Sequence, residues 1–321
     1  MEELSTIPTP CTTKIEALRT SIAQIIVGQT QATDLLLTSV IARGHVLIEG
    51  VPGVAKTLLA RVMAQLIDAR FSRVQFTPDL MPSDVLGTTV YNMKTGDFDF
   101  HPGPVFADVV LADEINRAPA KTQAALFEVM EERQVTVDGA PRAMSDVFTI
   151  IATQNPVEQE GTYKLPEAQL DRFLMKITMD YPTTDEEVEI LLRHQASAAF
   201  TRVDRLEPLL TPADLATLRD AAQQVRVEAS LLRYIAEIVD TTRYSKAVYL
   251  GASPRAAVAI LSSAKAYALL QERDFVTPDD IKTVAPFVMH HRLLLTAEAE
   301  MQGYTPLQVA QQLIDKVEVP Q

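Results

Sequence analysis

The chain has almost no cysteine, no long apolar run and a deficit of positive charge. Cys11 is the single cysteine among 321 residues, so an internal disulfide is excluded and a reducing, cytoplasmic setting is expected. No stretch of 18 apolar residues occurs, so no membrane-spanning helix is expected. Glu2 and Glu3 stand near the start without an apolar segment after them, so no secretory signal peptide is expected.

The charge balance is acidic, with 29 Lys and Arg against 42 Asp and Glu and a net charge of −13. This balance disfavours nonspecific binding to nucleic acid or to an anionic membrane, although a local basic patch remains compatible with it. The share of hydrophobic residues, 47%, is typical of a globular protein, and the length allows two domains.

The most informative segment, residues 50–57, reads GVPGVAKT between an apolar stretch and a helical pattern. Strand, glycine-rich turn and helix form the setting of a phosphate-binding loop, where backbone N–H groups and a helix N-terminus face phosphate oxygens. Lys56 would reach the β- and γ-phosphates, and the Thr57 hydroxyl would ligate Mg²⁺. Ala55 replaces the glycine of the motif and, as a good helix former, is expected to serve as the helix entry. The residues predicted to bind nucleotide here are Gly50, Val51, Pro52, Gly53, Val54, Ala55, Lys56, Thr57 and Leu58.

Short apolar stretches alternate with helical patterns in the first half of the chain. The alternation predicts an α/β fold in which helices cover both faces of a five-stranded parallel sheet. The predicted strands are 46–48, 71–76, 109–112, 148–152 and 173–179.

Two segments break this alternation and are predicted to be β-hairpins. Residues 88–101 have their turn at 94–97, and residues 134–137 are followed by Asp138 and Gly139, a pair that favours tight turns. Surface decoration without a function is the alternative interpretation of both.

Strand patterns cease after residue 183, and helix-start signals recur. Thr or Ser followed by Pro, as at Thr211, Ser253 and Thr277, supplies a cap and a first helical residue. The predicted organisation is a flexible leader over 1–14, a nucleotide-binding domain over 15–182 and an all-helical lid over 183–321.

An acidic pair, Asp113 and Glu114, ends the apolar strand 109–112. Asp113 is predicted to bind Mg²⁺, directly or through water, and Glu114 to polarise the attacking water. An exposed acidic pair at a strand end is the alternative. The next strand ends in Thr153 and Asn155, and either one would hold water near the γ-phosphate; Asn155 before Pro156 is equally a turn signal.

Four motifs together resemble the MoxR family of AAA+ ATPases, over about residues 27–255. They are GVPGVAKT at 50–57, VVLADEINRAPAKTQAALFEVMEERQVTVDG at 109–139, IIATQNPVEQEGTYKLPEAQLDRF at 150–173 and GASPRA at 251–256. The resemblance implies a P-loop AAA+ domain with a helical lid, and alanine is common in the family at the position of Ala55.

The resemblance also implies residue roles. Asp113 and Glu114 match the Walker B pair, Asn155 matches sensor 1, and Arg255 matches the sensor-2 arginine of the lid. Arg172 occupies the place of the arginine finger, which acts on the nucleotide of a neighbouring subunit. The segment Val27, Gly28, Gln29 resembles the one that covers the adenine. Arg117 and Arg133 are further candidates for action across an interface.

In function, the resemblance implies an ATP- and Mg²⁺-dependent homo-oligomer, expected to be a hexameric ring, that remodels or matures other proteins. A von Willebrand factor A domain protein and a protein client are the expected partners. The hairpins match inserts that touch clients in ring motors, which gives Tyr91, Phe98 and residues 135–137 a hypothetical client role. The alternatives are a nucleic-acid motor, disfavoured by the acidic charge, and a nucleotide-gated scaffold with little turnover, disfavoured by Glu114 and Asn155.

The pair His290 and His291 is expected to be solvated or partly packed rather than metal-binding. Neighbouring side chains on a helix point about 100° apart, which suits a shared metal poorly.

Overall fold

The computed structural model describes residues 9–156, 163, 165–196 and 203–320, without the side chains of 9–13 and 204. Residues 1–8 of the predicted leader and residues 157–162 and 164 of the third motif lie outside this range. The strands are β1 (Val46–Gly50), β2 (Phe71–Gln75), β3 (Gly87–Asn92), β4 (Asp97–Pro102), β5 (Val109–Asp113), β6 (Gln134–Val137), β7 (Ala140–Ala143), β8 (Thr149–Gln154), β9 (Met175–Met179), β10 (Val248–Leu250) and β11 (Leu294–Leu295). The helices are α1 (Thr9–Ile25), α2 (Thr30–Ile41), α3 (Lys56–Leu66), α4 (Pro82–Leu86), α5 (Ala120–Glu132), α6 (Glu167–Leu170), α7 (Thr184–Ala196), α8 (Pro212–Gln224), α9 (Ala229–Tyr244), α10 (Pro254–Leu270), α11 (Pro278–Met289), α12 (Ala297–Met301) and α13 (Pro306–Asp315).

The central sheet has the order β2-β5-β8-β1-β9, and all its neighbouring strands are parallel. The five-stranded parallel sheet predicted from the sequence is therefore confirmed. Since parallel strands end at the same edge, the residues that follow β1, β5 and β8 meet there.

Alternate residues of each strand pack into two hydrophobic cores. In β5, Val109 and Leu111 join the core on one face, whereas Val110 and Ala112 join the core on the other. Burial on both faces explains why these strands are apolar throughout. The first core also contains lid residues such as Ile260 and Ile281, so the lid and the sheet share buried apolar surface.

Both predicted hairpins are present, as β3–β4 and β6–β7. Asp138 and Gly139 have φ values of 52° and 76°, the left-handed conformations that a tight two-residue turn requires. Asp138 also accepts a hydrogen bond from Thr89, and the Arg142 guanidinium lies 4.0 Å from the centre of the Phe100 ring. The two hairpins therefore contact each other.

The predicted helix starts in the lid are confirmed, but the lid is not wholly helical. Thr211 and Thr277 cap α8 and α11 in reciprocal capping boxes, each followed by Pro at the first helical position. The correction is β10 paired with β11, a ladder of three residues against two that is too short to leave a sequence pattern. At the other end, α1 begins at Thr9, so part of the segment predicted as leader is helical. None of the described helices is long and apolar enough to cross a membrane.

Candidate nucleotide-binding site

The phosphate-binding loop connects β1 to α3 at the carboxyl edge of the sheet. Gly50 is required because a Cβ there would lie 2.6 Å from the Met179 carbonyl oxygen. Gly53 has φ +90°, which favours glycine. Ala55 is the N-cap of α3 and accepts from the Leu59 backbone N–H, so it serves as the predicted helix entry. Its φ of 64° and ψ of 22° are nevertheless left-handed, which alanine's helix propensity did not predict. The methyl group costs about 1–2 kcal/mol in this conformation.

Lys56 points back across the loop. Its Nζ donates to the Gly50 carbonyl oxygen at 2.5 Å and to the Gln154 carbonyl oxygen at 3.3 Å. These contacts hold the ammonium group between the ends of β1 and β8. A phosphate at the loop would meet the ammonium group there together with the N-terminus of α3.

Asp113 lies at the end of β5, opposite Thr57. The Thr57 hydroxyl donates to Asp113 Oδ2 across 3.5 Å, which brings together the two predicted magnesium ligands. Carboxylate and hydroxyl oxygens are hard ligands that suit Mg²⁺, which takes its remaining oxygens from phosphate and water. No cluster of three or more His, Cys, Asp or Glu residues able to hold a metal occurs among the described residues. The Asp113 carboxylate and the Thr57 hydroxyl fit a magnesium ion that arrives with a nucleotide.

Two side chains of β2 that the sequence analysis missed hold the acidic pair. Arg73 donates to Asp113 Oδ2 from Nη2 at 2.7 Å and from Nε at 3.0 Å. Gln75 donates to Glu114 Oε2 at 2.7 Å. The register of β2 with β5 places Gln75 opposite Asp113. To find them, one has to know that β2 lies next to β5. That pairing is a property of the tertiary structure and leaves no local sequence pattern.

Glu114 itself has a left-handed backbone, with φ 56°. Its Oε2 also accepts from Arg117 Nη1 at 3.0 Å, so Arg117 is placed on the acidic pair of its own chain. Strained backbone of this kind persists where surrounding contacts fix it, and it is enriched at functional sites.

Thr153 and Asn155, left as alternatives by the sequence, occupy different settings. The Thr153 hydroxyl donates to Asp113 Oδ1 at 2.5 Å and accepts from the Glu114 backbone N–H at 2.9 Å. Its hydrogen bonds therefore serve to fix β5 against β8. Asn155 follows β8 at the same edge and is 6% exposed.

A cavity of about 190 Å³ lies beside the phosphate-binding loop. Val27 and Gln29 line it together with Val54, Leu58 and Ile190. The mostly apolar lining suits a planar base. The segment predicted to cover the adenine is thereby brought to the loop.

Within that segment, Gly28 has φ +75°, and a Cβ there would lie 2.5 Å from the Glu186 carboxyl carbon. Gln29 Nε2 donates to the Asp180 carbonyl oxygen at 3.0 Å. The segment therefore lies against the residue that follows β9 and against α7 at the start of the lid.

Arg172 and Arg255 lie together, around two carboxylates. Arg172 Nη2 is 2.5 Å from Glu131 Oε2, and Arg255 lies 3.8 Å from Glu131 and 3.7 Å from Asp171. Among the described residues, neither arginine makes an ion pair or hydrogen bond with the phosphate-binding loop. The Arg255 side chain is 70% exposed, so its carboxylate contacts are loose.

Two further predictions concern side chains that are partly or fully buried. Arg133, a candidate for action across an interface, is half-buried and donates to the carbonyl oxygens of Arg43 and Phe148 of its own chain, so a role across an interface stays a prediction. Val135 is 3% exposed within a core, which excludes it from client contact in this fold.

The histidine pair is buried rather than solvated. His290 and His291 are 6% and 8% exposed, and they share hydrogen bonds with the carbonyl oxygens of Pro286 and Phe173. Burial lowers the pKa of His290 to about 3 and lowers the pKa of His291 well below its usual value.

Comparisons with known proteins agree with this geometry. A family model described as the ATPase family associated with various cellular activities (AAA) matches residues 45–175, and one described as the AAA lid domain matches residues 240–316. The chain is 48% identical over 299 residues to the uncharacterised protein YeaC of Bacillus subtilis, covering 93% of this chain and 92% of YeaC. It is 43% identical over 309 residues to Chaperone MoxR1 of Mycobacterium tuberculosis, covering 94% of this chain and 81% of that protein.

The fold is similar to a crystal structure of a proposed ATPase from Cytophaga hutchinsonii, with a TM-score of 0.89 at 40% identity. The alignment covers 97% of this chain and 96% of that one. From the sheet, the phosphate-binding loop, the helical lid and these relatives, the chain belongs to the MoxR family of AAA+ ATPases.

Proposed function

We propose that the protein hydrolyses ATP with Mg²⁺ at the boundary between subunits of a ring, expected to be hexameric, and uses the energy to remodel partner proteins in the cytoplasm. The observation that carries this proposal is the meeting of Lys56, Thr57, Asp113 and Glu114 at one edge of the sheet. The chaperone named among its relatives supports the remodelling of proteins. A von Willebrand factor A domain partner is expected from the family resemblance alone.

Each residue of the site has one role in this proposal. The loop amides and Lys56 bind the phosphates, and Thr57 and Asp113 orient the magnesium ion, which neutralises phosphate charge when bound. Glu114 polarises the attacking water, and Asn155 orients it from the end of β8.

Arg172, near the end of the nucleotide-binding domain, and Arg255, in the lid, are proposed to act on the nucleotide of a neighbouring subunit. Arg172 and Arg255 share the carboxylates Glu131 and Asp171 and, among the described residues, have no contact with their own phosphate-binding loop. Cations placed this way would complete a site supplied by the adjacent chain, where they would stabilise the charge on the transferring phosphoryl group. Catalysis would therefore depend on assembly.

The tip of the β3–β4 hairpin is the proposed client contact. Tyr91, Met93 and Phe98 are 52%, 83% and 72% exposed, and the rings of Tyr91 and Phe98 pack 5.2 Å apart. Exposed apolar side chains on an insert are suited to bind an unfolded or flexible segment of another protein. Phe98→Ser should abolish client-dependent stimulation of ATPase activity while the basal rate persists, and an unchanged client response would refute this contact.

Two substitutions test the hydrolysis itself. Lys56→Ala should weaken ATP binding, since the loop loses its ammonium group, whereas Glu114→Gln should bind ATP and stop turnover. Calorimetric titration with ATP and multiple-turnover phosphate release measure the two effects, with Lys121→Ala as an exposed control. Turnover by Glu114→Gln at the wild-type rate would contradict the role given to Glu114.

A further inference from the structure

A cavity of about 220 Å³ lies on the side of the molecule where the end of α2 meets the lid helices α8 and α10. Its polar lining consists of Arg43, Arg219, Gln223, Ser262 and Lys265. These residues belong to neither the phosphate-binding loop nor the arginine pair. The cavity is several times larger than the roughly 30 Å³ that one water molecule occupies in the liquid.

Arg219 is the buried member of this group, at 2% exposed. Its Nε donates to the Val40 carbonyl oxygen at 3.1 Å, and its Nη1 donates to the Asp146 carbonyl oxygen at 2.5 Å. Its Nη2 is buried and has no hydrogen-bond partner in the part of the chain that the structure describes. A buried donor of a charged group that lacks an acceptor is costly, so it calls for an explanation.

Another buried arginine shows what Arg219 lacks. The Arg292 side chain is 5% exposed, and its Nε lies 2.6 Å from the Asp171 carboxylate. Arg219, in contrast, forms no ion pair with a carboxylate among the described residues, because both of its acceptors are neutral carbonyl groups. Its positive charge is therefore poorly compensated.

Other cations increase the positive potential around Arg219. Burial, with the charges of Arg133 and Arg43, lowers the pKa of Arg219 to about 10, and the Asp146 carboxylate opposes this effect only in part. Lys265 donates to the Gln223 carbonyl oxygen at 2.8 Å, another neutral acceptor. The carboxylate of Asp220 lies 3.7 Å from Arg43, but it is 67% exposed and screened by solvent. This local excess of positive charge stands out in a chain of net charge −13.

We propose that this cavity, lined by Arg43, Arg219, Ser262 and Lys265, binds a phosphate group, either free phosphate or the phosphate of a small phosphomonoester. A dianion matches several cations better than a single carboxylate does, and guanidinium groups bind phosphate oxygens in pairs. The Ser262 hydroxyl and the Lys265 ammonium group supply further donors. The bound group joins α2 of the nucleotide-binding domain to α8 and α10 of the lid, so it stabilises one arrangement of the two.

The test measures phosphate binding in a Lys56→Ala background, which weakens the competing phosphate-binding loop. Thermal unfolding and ³¹P line broadening are recorded on the full chain against inorganic phosphate and, separately, against O-phosphoserine, at an ionic strength held constant with chloride. Lys265→Ala and Arg43→Asn remove cavity charges. Asparagine is chosen because Arg43 has φ 59°, a conformation that asparagine tolerates. Lys246→Ala, an exposed lid lysine outside the cavity, is the matched control.

The expected result is that one or both phosphate compounds raise the melting temperature and broaden the ³¹P signal in the background protein and in the Lys246→Ala control. The dissociation constant should increase at least tenfold in Lys265→Ala and in Arg43→Asn, while their folding without phosphate is retained. Tighter binding of O-phosphoserine would identify a phosphomonoester site, and tighter binding of inorganic phosphate would identify a site for the free ion. Equal responses in all four proteins, or no response beyond that to chloride, would overturn the proposal.

Discussion

Arg73 and Gln75, two residues of β2, hold the two carboxylates on which hydrolysis is proposed to depend. Arg73 donates a hydrogen bond to Asp113 Oδ2, the atom that also accepts from the Thr57 hydroxyl, and Gln75 donates one to Glu114 Oε2. A magnesium ion at Asp113 would compete with the guanidinium group, and a water near Glu114 would compete with the amide. At the scale of single residues, neighbouring side chains of β2 therefore restrain both carboxylates of the site.

The first prediction concerns that restraint on Glu114. Gln75→Ala removes one of the two side chains bonded to Glu114 Oε2, so the basal rate of ATP hydrolysis should rise. A hydrogen bond to a charged group contributes about 1.5–3 kcal/mol, which corresponds to an increase of roughly tenfold to a hundredfold. Phosphate release at saturating ATP measures the rate, and Gln134→Ala, on an exposed hairpin position, is the control. At unchanged ATP affinity, an unchanged rate would show that Gln75 does not restrain Glu114, and a lower rate would show that Gln75 assists it.

The second prediction concerns pH and the buried histidines. Burial lowers the pKa of both His45 and His290 to about 3, from 6.5 in the unfolded chain. Below pH 6.5 the unfolded state therefore binds protons that the folded state does not, and stability falls as the pH falls. Between pH 7.5 and 5.5 each histidine should remove about 1.4 kcal/mol from the free energy of unfolding.

Urea unfolding at the two pH values measures this loss. His290→Asn should reduce the pH dependence, because the asparagine amide can donate to the Pro286 carbonyl oxygen without titrating. His101→Gln, at an exposed position of β4, should leave the pH dependence unchanged. An equal pH dependence in wild type and His290→Asn would contradict the burial of a neutral His290.

At the scale of elements, the turn 290–292 connects the lid to the loop that carries Arg172. His291 meets the Phe173 carbonyl oxygen, and Arg292 donates to the carbonyl oxygens of Asp171, Phe173 and Leu174. Burial lowers the pKa of Arg292, and the Asp171 carboxylate opposes that effect. Movement of the lid would therefore be transmitted to the proposed arginine finger through this turn.

The third prediction concerns the ion pair between Arg292 and Asp171, which is part of that connection. Asp171→Asn removes the carboxylate beside a buried guanidinium group, so the free energy of unfolding should fall by about 3 kcal/mol. Asp274→Asn, whose partner Arg226 is 59% exposed, should cost less than about 1 kcal/mol. Urea denaturation compares the two variants. Similar losses in both would mean that Arg292 is not buried as an ion pair.

Elements and side-chain contacts differ in how far the sequence predicts them. The parallel strands and the Asp138–Gly139 turn leave local patterns, and the helix starts at Thr211 and Thr277 do so as well. The ladder of β10 with β11 leaves none, because a strand of two or three residues has no measurable periodicity. Gln75 faces the acidic pair only because β2 lies next to β5 in the folded sheet.

The backbone conformation at single positions could not be predicted from the sequence either. Ala55 adopts a left-handed conformation that its helix propensity opposes, and the loop around it decides the outcome. The neighbours of Arg255 depend on how the lid packs, which no local pattern encodes.

At the scale of the whole molecule, the lid is continuous with the nucleotide-binding domain. Helix α10 packs on α2, α11 packs on β9, and one hydrophobic core runs through both parts. Among the described residues, Arg172 and Arg255 nevertheless make no ion pair or hydrogen bond with the phosphate-binding loop of their own chain, which supports the proposal that the reaction needs two copies. In the proposed mechanism, each nucleotide site therefore depends on the arginines of the neighbouring subunit.

Mixing two inactive variants tests this claim most directly. Arg172→Ala keeps Glu114 but supplies no finger, whereas Glu114→Gln supplies a finger but cannot activate water. Random mixing at equal amounts should restore about a quarter of the wild-type phosphate release, since one subunit boundary in four combines an intact Glu114 with an intact Arg172. Size-exclusion chromatography with ATP must first show that both variants assemble as the wild type does. Phosphate release that stays at the level of the separate variants, in rings that do assemble and mix, would contradict a site shared between subunits.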